Sequence, residues 1–282
     1  MEICRSIDAM RSLRKKLNGS VGFVPTMGAL HEGHLSLVSA SKNQCDFSIA
    51  SIFVNPIQFN DPRDLKNYPR DEVKDLKLLQ RLNVDAVFIP EPSQFYPNNF
   101  STEVIENSVT QGLEGESRPG HFTGVATVLT KFFNIVEPTH SFYGEKDAQQ
   151  YRVVAKMAAD LNYNIKIISC PTVREDTGLA MSSRNENLTP EARKKAAVIY
   201  SGLKLAKTAL MNGEQDPKKI IEFIRFHISK EPLAEIIYIS IADNKTLKEV
   251  DHEIESDVLV SIAVNFDNVR LIDNFTYSLS GT

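Results

Sequence analysis

Several things are scarce in this 282-residue sequence, and each shortage removes a class of protein. Only three cysteines are present, Cys4, Cys45 and Cys170, and their spacing is neither paired nor metal-like. A disulfide framework and a zinc cluster are therefore excluded, and reduced thiols in a cytoplasmic protein are expected. No apolar run approaches the ~20 residues of a membrane span, so no membrane is expected among the partners. Residues Met1 to Leu17 mix apolar and basic side chains without a signal-peptide core, and no secretory leader is expected there. Basic charge is also short: 32 Lys and Arg face 36 Asp and Glu, for a net charge of −4. Nucleic-acid-binding domains are usually basic, so no nucleic acid is expected. Repeats and low-complexity linkers are absent too. At 42% hydrophobic and 24% charged residues, what remains has the balance of an ordinary globular protein. Its length holds one large domain or two of ordinary size.

The stretch from Val24 to His34 organises the chain. The β-type run Val21 to Val24 precedes it, and Leu35-Ser36-Leu37-Val38 opens a helical pattern after it. It predicts a strand ended by Pro25, a tight loop and a helix from His34 to about Gln44. Gly28 and Gly33 let the backbone turn and let a ligand approach. A helix N-terminus offers unpaired N–H groups to an anion. His31 and His34, three apart, share a face of the first turn and suit a triphosphate whose leaving group needs neutralising. Two blander readings compete. A metal pair lacks a third ligand and the His-Glu-x-x-His spacing. A purely structural loop seldom collects histidines and glycines for packing alone. His-x-Gly-His after a strand resembles the nucleotidyltransferase signature, shared with class I aminoacyl-tRNA synthetases.

Along the chain, Ile7, Met10, Leu13 and Leu17 predict an amphipathic helix closed by Asn18-Gly19. Phe47 to Val54 is apolar enough for a buried parallel strand. Asn55 and Gln58 then lie just past a strand end, where open parallel sheets bind ligands; either is also an ordinary turn former. Pro69, after Tyr68, suits the first turn of a helix through Leu82. Asp85 to Pro90 and Thr102 to Glu106 predict strands. Arg118 and His121 precede another amphipathic helix, and either cap and solvate its start or clamp an anion. Ser141 to Tyr143 is a strand followed by Gly144-Glu145-Lys146-Asp147, with Asp147 and Gln150 on the next helical turn. Lys146 suits a phosphate and Asp147 a ribose hydroxyl, or the two form a solvated pair. Ile165 to Ile168 is the next strand. Met181-Ser182-Ser183-Arg184 sets hydroxyls beside a guanidinium in a small polar loop, either for a phosphate gaining charge or as a plain linker. Thr189-Pro190 caps a long helix through Met211, and Asp216-Pro217 caps another. Strands Ile236 to Ile241, Val258 to Val264 and Val269 to Ile272 close the chain. Alternation of strand and helix gives an α/β, doubly wound (Rossmann-like) parallel-sheet N-terminal domain over 1–175. A smaller α+β C-terminal domain follows over 176–282.

The motif set, with Phe53-Val54-Asn55-Pro56-Ile57-Gln58-Phe59, Tyr68-Pro69-Arg70, Arg118-Pro119-Gly120-His121-Phe122, Gln149-Gln150 and Arg270-Leu271-Ile272-Asp273-Asn274, resembles the pantothenate synthetase (pantoate–β-alanine ligase) family. The motifs run in family order over nearly the whole chain. Asn60 and Arg63 depart from the Gly and Glu of many members, which leaves that loop's shape open. The resemblance implies two steps. Pantoate's carboxylate attacks the α-phosphate of ATP, giving pantoyl adenylate and pyrophosphate; the amine of β-alanine then gives pantothenate and AMP. It implies Mg²⁺ with the ATP phosphates, a homodimer and no protein nucleophile. It places ATP on Pro25, Met27, Gly28, Ala29, Leu30, His31, Gly33 and His34, with His34 matching the proton donor. Gly144, Lys146, Asp147 and Val173 contact the nucleotide, and Met181, Ser182, Ser183 and Arg184 close on its phosphates. Gln58 contacts pantoate and β-alanine, and Gln150 contacts pantoate; Asn55, Tyr68, Arg118 and His121 complete the substrate side. His31, His34, Lys146, Ser182, Ser183 and Arg184 supply charge neutralisation. Three alternatives are a nucleotidyltransferase that joins a phosphate ester to a nucleotide and stops there, an RNA-binding or tRNA-handling protein, and a catalytically silent regulatory protein, which the intact motif set disfavours. Neutral Gln58 and Gln150 suit a hydroxy acid better than a phosphate acceptor, and the acidic balance disfavours RNA.

Overall fold

A computed structural model describes residues 1–60 and 62–279. Position 61 and positions 280–282, the end of the expected second domain, lie outside the described residues. The chain forms two compact units: Met1–Gly144 with Gln150–Pro171, and Glu145–Gln149 with the chain from Thr172 onward. The change of unit falls at Thr172 rather than after position 175. The excursion Glu145–Gln149, given to the first domain by a linear reading, groups with the second.

The first unit carries β1 (Glu2–Cys4), α1 (Ile7–Arg14), β2 (Val21–Thr26), α2 (Glu32–Gln44) and β3 (Phe47–Ile52). After these come α3 (Pro62–Asn67), α4 (Glu72–Arg81), β4 (Ala86–Phe88), α5 (Pro92–Phe95) and α6 (Leu113–Ser117). It ends with α7 (His121–Val136), β5 (His140–Gly144), α8 (Ala148–Asp160) and β6 (Lys166–Cys170). All six strands pair in parallel in the order β1-β4-β3-β2-β5-β6. Both faces are covered, which is why β2 reads as an unbroken apolar run. On one face Val24, Ala50, Val87 and Phe142 pack with Leu37 and Val38 of α2 and Leu79 of α4. On the other, Phe132 of α7 lies 5.5, 6.0, 5.9 and 5.0 Å from the rings of Phe23, Phe53, Phe88 and Phe95. This is the doubly wound arrangement expected from the alternation of elements.

The second unit is antiparallel: β7 (Ala234–Asp243), β8 (Val258–Phe266) and β9 (Val269–Tyr277) in that order. Helices α9 (Pro190–Lys195), α10 (Val198–Met211) and α11 (Pro217–Ile228) precede the sheet. Ile199, Leu203 and Leu210 of α10 and Ile220, Ile224 and Ile228 of α11 share a core with Val258, Val260, Ile262 and Val264. Among the described residues, no helix is long and apolar enough to cross a membrane.

Local expectations shift in several places. Thr102 to Glu106 is not a strand; the Val104 N–H donates to the Thr127 hydroxyl at 3.0 Å, so its donor is spent on α7 and no ladder forms. Pro25 sits inside β2, not at its end. It is tolerated because β5 pairs β2 only at Gly22 and Phe23, so one side of the strand has no ladder left to feed. The helix expected from Pro69 starts at Glu72, capped by the Asp71 carboxylate on the Lys74 N–H. The long helix expected after Pro190 is two, α9 and α10. The three-residue strand β1 was not legible, since its Glu-Ile-Cys offers too little pattern.

Candidate active site

In the first unit the strand order reverses between β2 and β5. At such a switch point, ligands bind beyond the carboxyl ends of the strands. The loop leaving β2 holds the two histidines. Its helix begins two residues earlier than expected, because His31 is the N-cap and His34 the third helical residue. The rings stack at 4.1 Å between centroids. His31 Nδ1 accepts from the Gly33 N–H at 3.1 Å, and His34 Nδ1 accepts from the His31 N–H at 3.4 Å. A ring nitrogen that accepts carries no proton, so in each neutral imidazole the proton sits on Nε2. Both rings thus carry an N–H donor without needing a net charge.

The loop is pinned from α4. The buried Asp75 carboxylate accepts from the Ala29 N–H at 2.9 Å and the Leu30 N–H at 2.7 Å. Burial, with the nearby Asp71 charge, holds its carboxyl above the ordinary range although both amides favour the ionised form. Gly28 has φ +83°, and a Cβ there would come within 3.0 Å of Asp75 Oδ2 and 3.2 Å of the Ile52 side chain. Asp75 was not singled out from the sequence. The signal was an acid one turn before Leu79 on the buried side of α4.

Beyond β3, the 3₁₀ turn Pro56–Gln58 docks on the start of α7. A Cβ on Gly124 would lie 2.6 Å from the Ile57 carbonyl oxygen, so only glycine allows this approach. Asn55 is 1% exposed, and its amide nitrogen donates to the Gly124 carbonyl at 3.0 Å and to Gln58 Oε1 at 3.3 Å. A backbone carbonyl only accepts, which fixes which end of Asn55 faces it and hence which end of Gln58 faces Asn55. The Tyr96 hydroxyl completes Asn55 at Oδ1, 3.0 Å away. Asn55 thus fixes which end of the Gln58 amide is oxygen and which is NH₂. Asn55, expected to touch substrate, donates here to the Gly124 carbonyl and to Gln58 Oε1. His121 is 6% exposed, and its Nδ1 donates to the Gln58 carbonyl at 3.0 Å. Arg118 Nη1 lies 3.4 Å from His121 Nε2 and 4.0 Å from Glu114. These two therefore brace the Gln58 turn from α6 and α7. Tyr68 is buried edge-on to Phe59 at 5.7 Å. Gly144 closes β5, and Gln150 lies in the first turn of α8.

In the second unit, Lys146 and Asp147 form a pair at 3.5 Å. The Met181 N–H donates to the Val173 carbonyl at 3.0 Å, and the Ser182 hydroxyl caps the turn Ser183–Asn187 through the Arg184 N–H at 3.3 Å. This segment is tied at its base. The Glu175 carboxylate takes two bonds from Arg193 Nε at 3.0 Å, one from Arg193 Nη2 at 2.8 Å and one from the Asn185 amide at 2.8 Å.

Comparison with known proteins shows what this constellation belongs to. The sequence model of the family described as "Pantoate-beta-alanine ligase" matches residues 2–276. The chain belongs to the pantoate–β-alanine ligase family. A pantothenate synthetase of Clostridium botulinum is 50% identical over 99% of this chain and 100% of its own length. The crystal structure of pantothenate synthetase from Thermus thermophilus superposes with a TM-score of 0.92 at 39% identity, covering 98% of this chain and 99% of that one. A Francisella tularensis pantoate-beta-alanine ligase complexed with beta-gamma ATP and beta-alanine is 35% identical, with a TM-score of 0.79 over 98% of this chain and 97% of that one. The family expected from the motifs and the family that matches are the same, and the chain is a ligase of this type.

Proposed function

We propose that the residues described above carry an ATP-dependent condensation of pantoate with β-alanine through pantoyl adenylate. The observation that carries this reading is the Asn55-oriented amide of Gln58, a neutral donor beyond the same sheet edge as the two imidazoles. A carboxylate oxygen of pantoate attacks the α-phosphorus of ATP, and the bond to the β-phosphate breaks with release of pyrophosphate. No protein nucleophile is needed; positioning and neutralisation are. His31 and His34 donate hydrogen bonds from Nε2–H to the phosphates, with His34 stabilising the charge on the departing pyrophosphate while its ring keeps the proton, and the Pro25 to His34 loop holds the nucleotide. Lys146, Ser182, Ser183 and Arg184 neutralise charge on the phosphates. Gly144, Asp147, Val173 and Met181 contact the nucleotide. Gln58 and Gln150 hold pantoate, with Tyr68, Arg118 and His121 behind them. The β-alanine amine then attacks the acyl carbon, the bond to AMP breaks and pantothenate forms.

Mg²⁺ enters with ATP as part of the substrate. Among the described residues no group of three or more His, Cys, Asp or Glu side chains is placed to hold a metal ion, and Mg²⁺ is commonly carried by substrate phosphates with few protein ligands. Bound with ATP, it would neutralise charge on the pyrophosphate that leaves. Three free cysteines among the described residues agree with a cytoplasmic enzyme. The homodimeric state is carried from the family resemblance, and sedimentation of the purified chain tests it. A coupled assay tests the reaction. AMP should appear in stoichiometric amounts only when MgATP, pantoate and β-alanine are all present. Pyrophosphate release with neither free AMP nor an amide product would point to a nucleotidyltransferase that stops once its acceptor is joined to the nucleotide.

A further inference from the structure

The family motif Arg270-Leu271-Ile272-Asp273-Asn274 has no part in the chemistry above. It lies on β9, far along the chain from every loop with a catalytic role. We propose that Asn274 is a positioning residue for Lys146, and that the adjacent Asp273 does the same for the segment leading to Arg184. The inference rests on the reading of Lys146 as a phosphate-facing group.

Asn274 is 9% exposed, and its amide nitrogen donates to two successive backbone carbonyls, Glu145 at 3.0 Å and Lys146 at 2.8 Å. Those carbonyls belong to the peptide planes on either side of the Lys146 Cα. Each plane is rigid, so holding both fixes the two soft dihedrals of Lys146 and the direction of its side chain. The task selects asparagine. Its NH₂ is a short, neutral group with two donors on one nitrogen; aspartate has no donor and serine only one. Asp273 orients this clamp by accepting the Asn274 N–H at 2.8 Å. It is 3% exposed, and its carboxylate takes Arg174 Nη1 at 2.6 Å and Nη2 at 2.9 Å. The Arg174 guanidinium lies 3.8 Å over the Tyr200 ring and donates to the Gly178 carbonyl at 3.1 Å. Two neighbouring residues of one strand thus hold both phosphate-directed segments of this unit, from 145 to 149 and from 174 to 184.

The test is a double-mutant cycle on pantoate-dependent pyrophosphate release under single-turnover conditions with MgATP. Asn274→Ala and Lys146→Ala are each expected to slow the step by about tenfold to a hundredfold, as misplacement by an ångström does. The pair together should be little slower than Lys146→Ala alone, because a clamp with nothing to aim has nothing left to lose. Multiplicative losses, or a wild-type rate in Asn274→Ala, would overturn the proposal. Hydrogen exchange of the peptide covering 145–149 supplies a readout independent of activity. It should quicken in Asn274→Ala while the melting temperature moves by only a few degrees. Unchanged exchange would also overturn the clamp. A wild-type protein inert toward pantoate and ATP would sink the functional reading instead, and the exchange experiment would still decide on Asn274.

Discussion

At the scale of the residue, the candidate site is a set of side chains whose hydrogen-bonding sense is decided by backbone groups. His34 holds its Nδ1 on the His31 N–H, which puts the proton of the neutral ring on Nε2. His34→Ala should slow pantoate-dependent pyrophosphate release by ~10²- to 10⁴-fold, the range of a positioned acid or charge stabiliser. A near wild-type rate in the variant would remove His34 from the mechanism. Gln58 makes a sharper case. Its oxygen is taken by Asn55, so Gln58→Glu keeps that bond and swaps the NH₂ for a charged oxygen. Like charges about 4 Å apart oppose each other by roughly 4 kcal/mol at an intermediate effective dielectric. The expected result is a pantoate KM raised by orders of magnitude with ATP binding nearly unchanged. Titrating the two substrates separately checks it, and an unaltered pantoate dependence would show that Gln58 does not face the acid.

Among the elements, the segment from Glu175 to Asn187 joins a helix to the polar loop through charge. Burial pushes the Glu175 carboxyl up, but Arg193 and the Asn185 amide together hold it below its ordinary value of 4.5. A carboxyl lowered on folding contributes stability that is fully present above its unfolded value. That stability is lost as pH falls through the folded value. The melting temperature of the wild type should therefore fall more between about pH 5 and about pH 3 than that of Glu175→Gln. Parallel curves for the two proteins would show that the ion pair contributes nothing on folding. The sequence predicts only a small polar loop at Met181 to Arg184, without this tie. Glu175 and Arg193 lie 18 residues apart, and neither one-turn spacing nor a capping rule connects them.

The two units of the whole molecule have separate cores, and the aromatic one is concentrated on a single side chain. Phe132 is 2% exposed and touches the rings of Phe23, Phe53, Phe88 and Phe95. Truncating a buried phenylalanine costs about 3–5 kcal/mol, from lost transfer energy and the cavity left behind. Phe132→Ala should lower the unfolding free energy from urea titration by that amount, with little change in the slope of the transition. A loss below about 1 kcal/mol would mean that the neighbouring rings collapse into the space.

The parts legible in the sequence are those fixed by neighbours within a turn or a strand. The apolar run Val21 to Val24, the helix from His121 to Val136, the cap at Asp216 and the histidine pair three apart all follow from local period and local donors. The parallel α/β order and the family came from such pieces read in sequence. What only the tertiary structure decided is how each functional group is held. Asp75 reaches back 46 residues to the Ala29 amide, Asn55 reaches 69 forward to the Gly124 carbonyl, and Asn274 reaches 129 back to Glu145. In the sequence each is one polar residue among many, because a hydrogen bond of that span depends on which backbone groups the packed sheets and helices bring within about 3 Å of it.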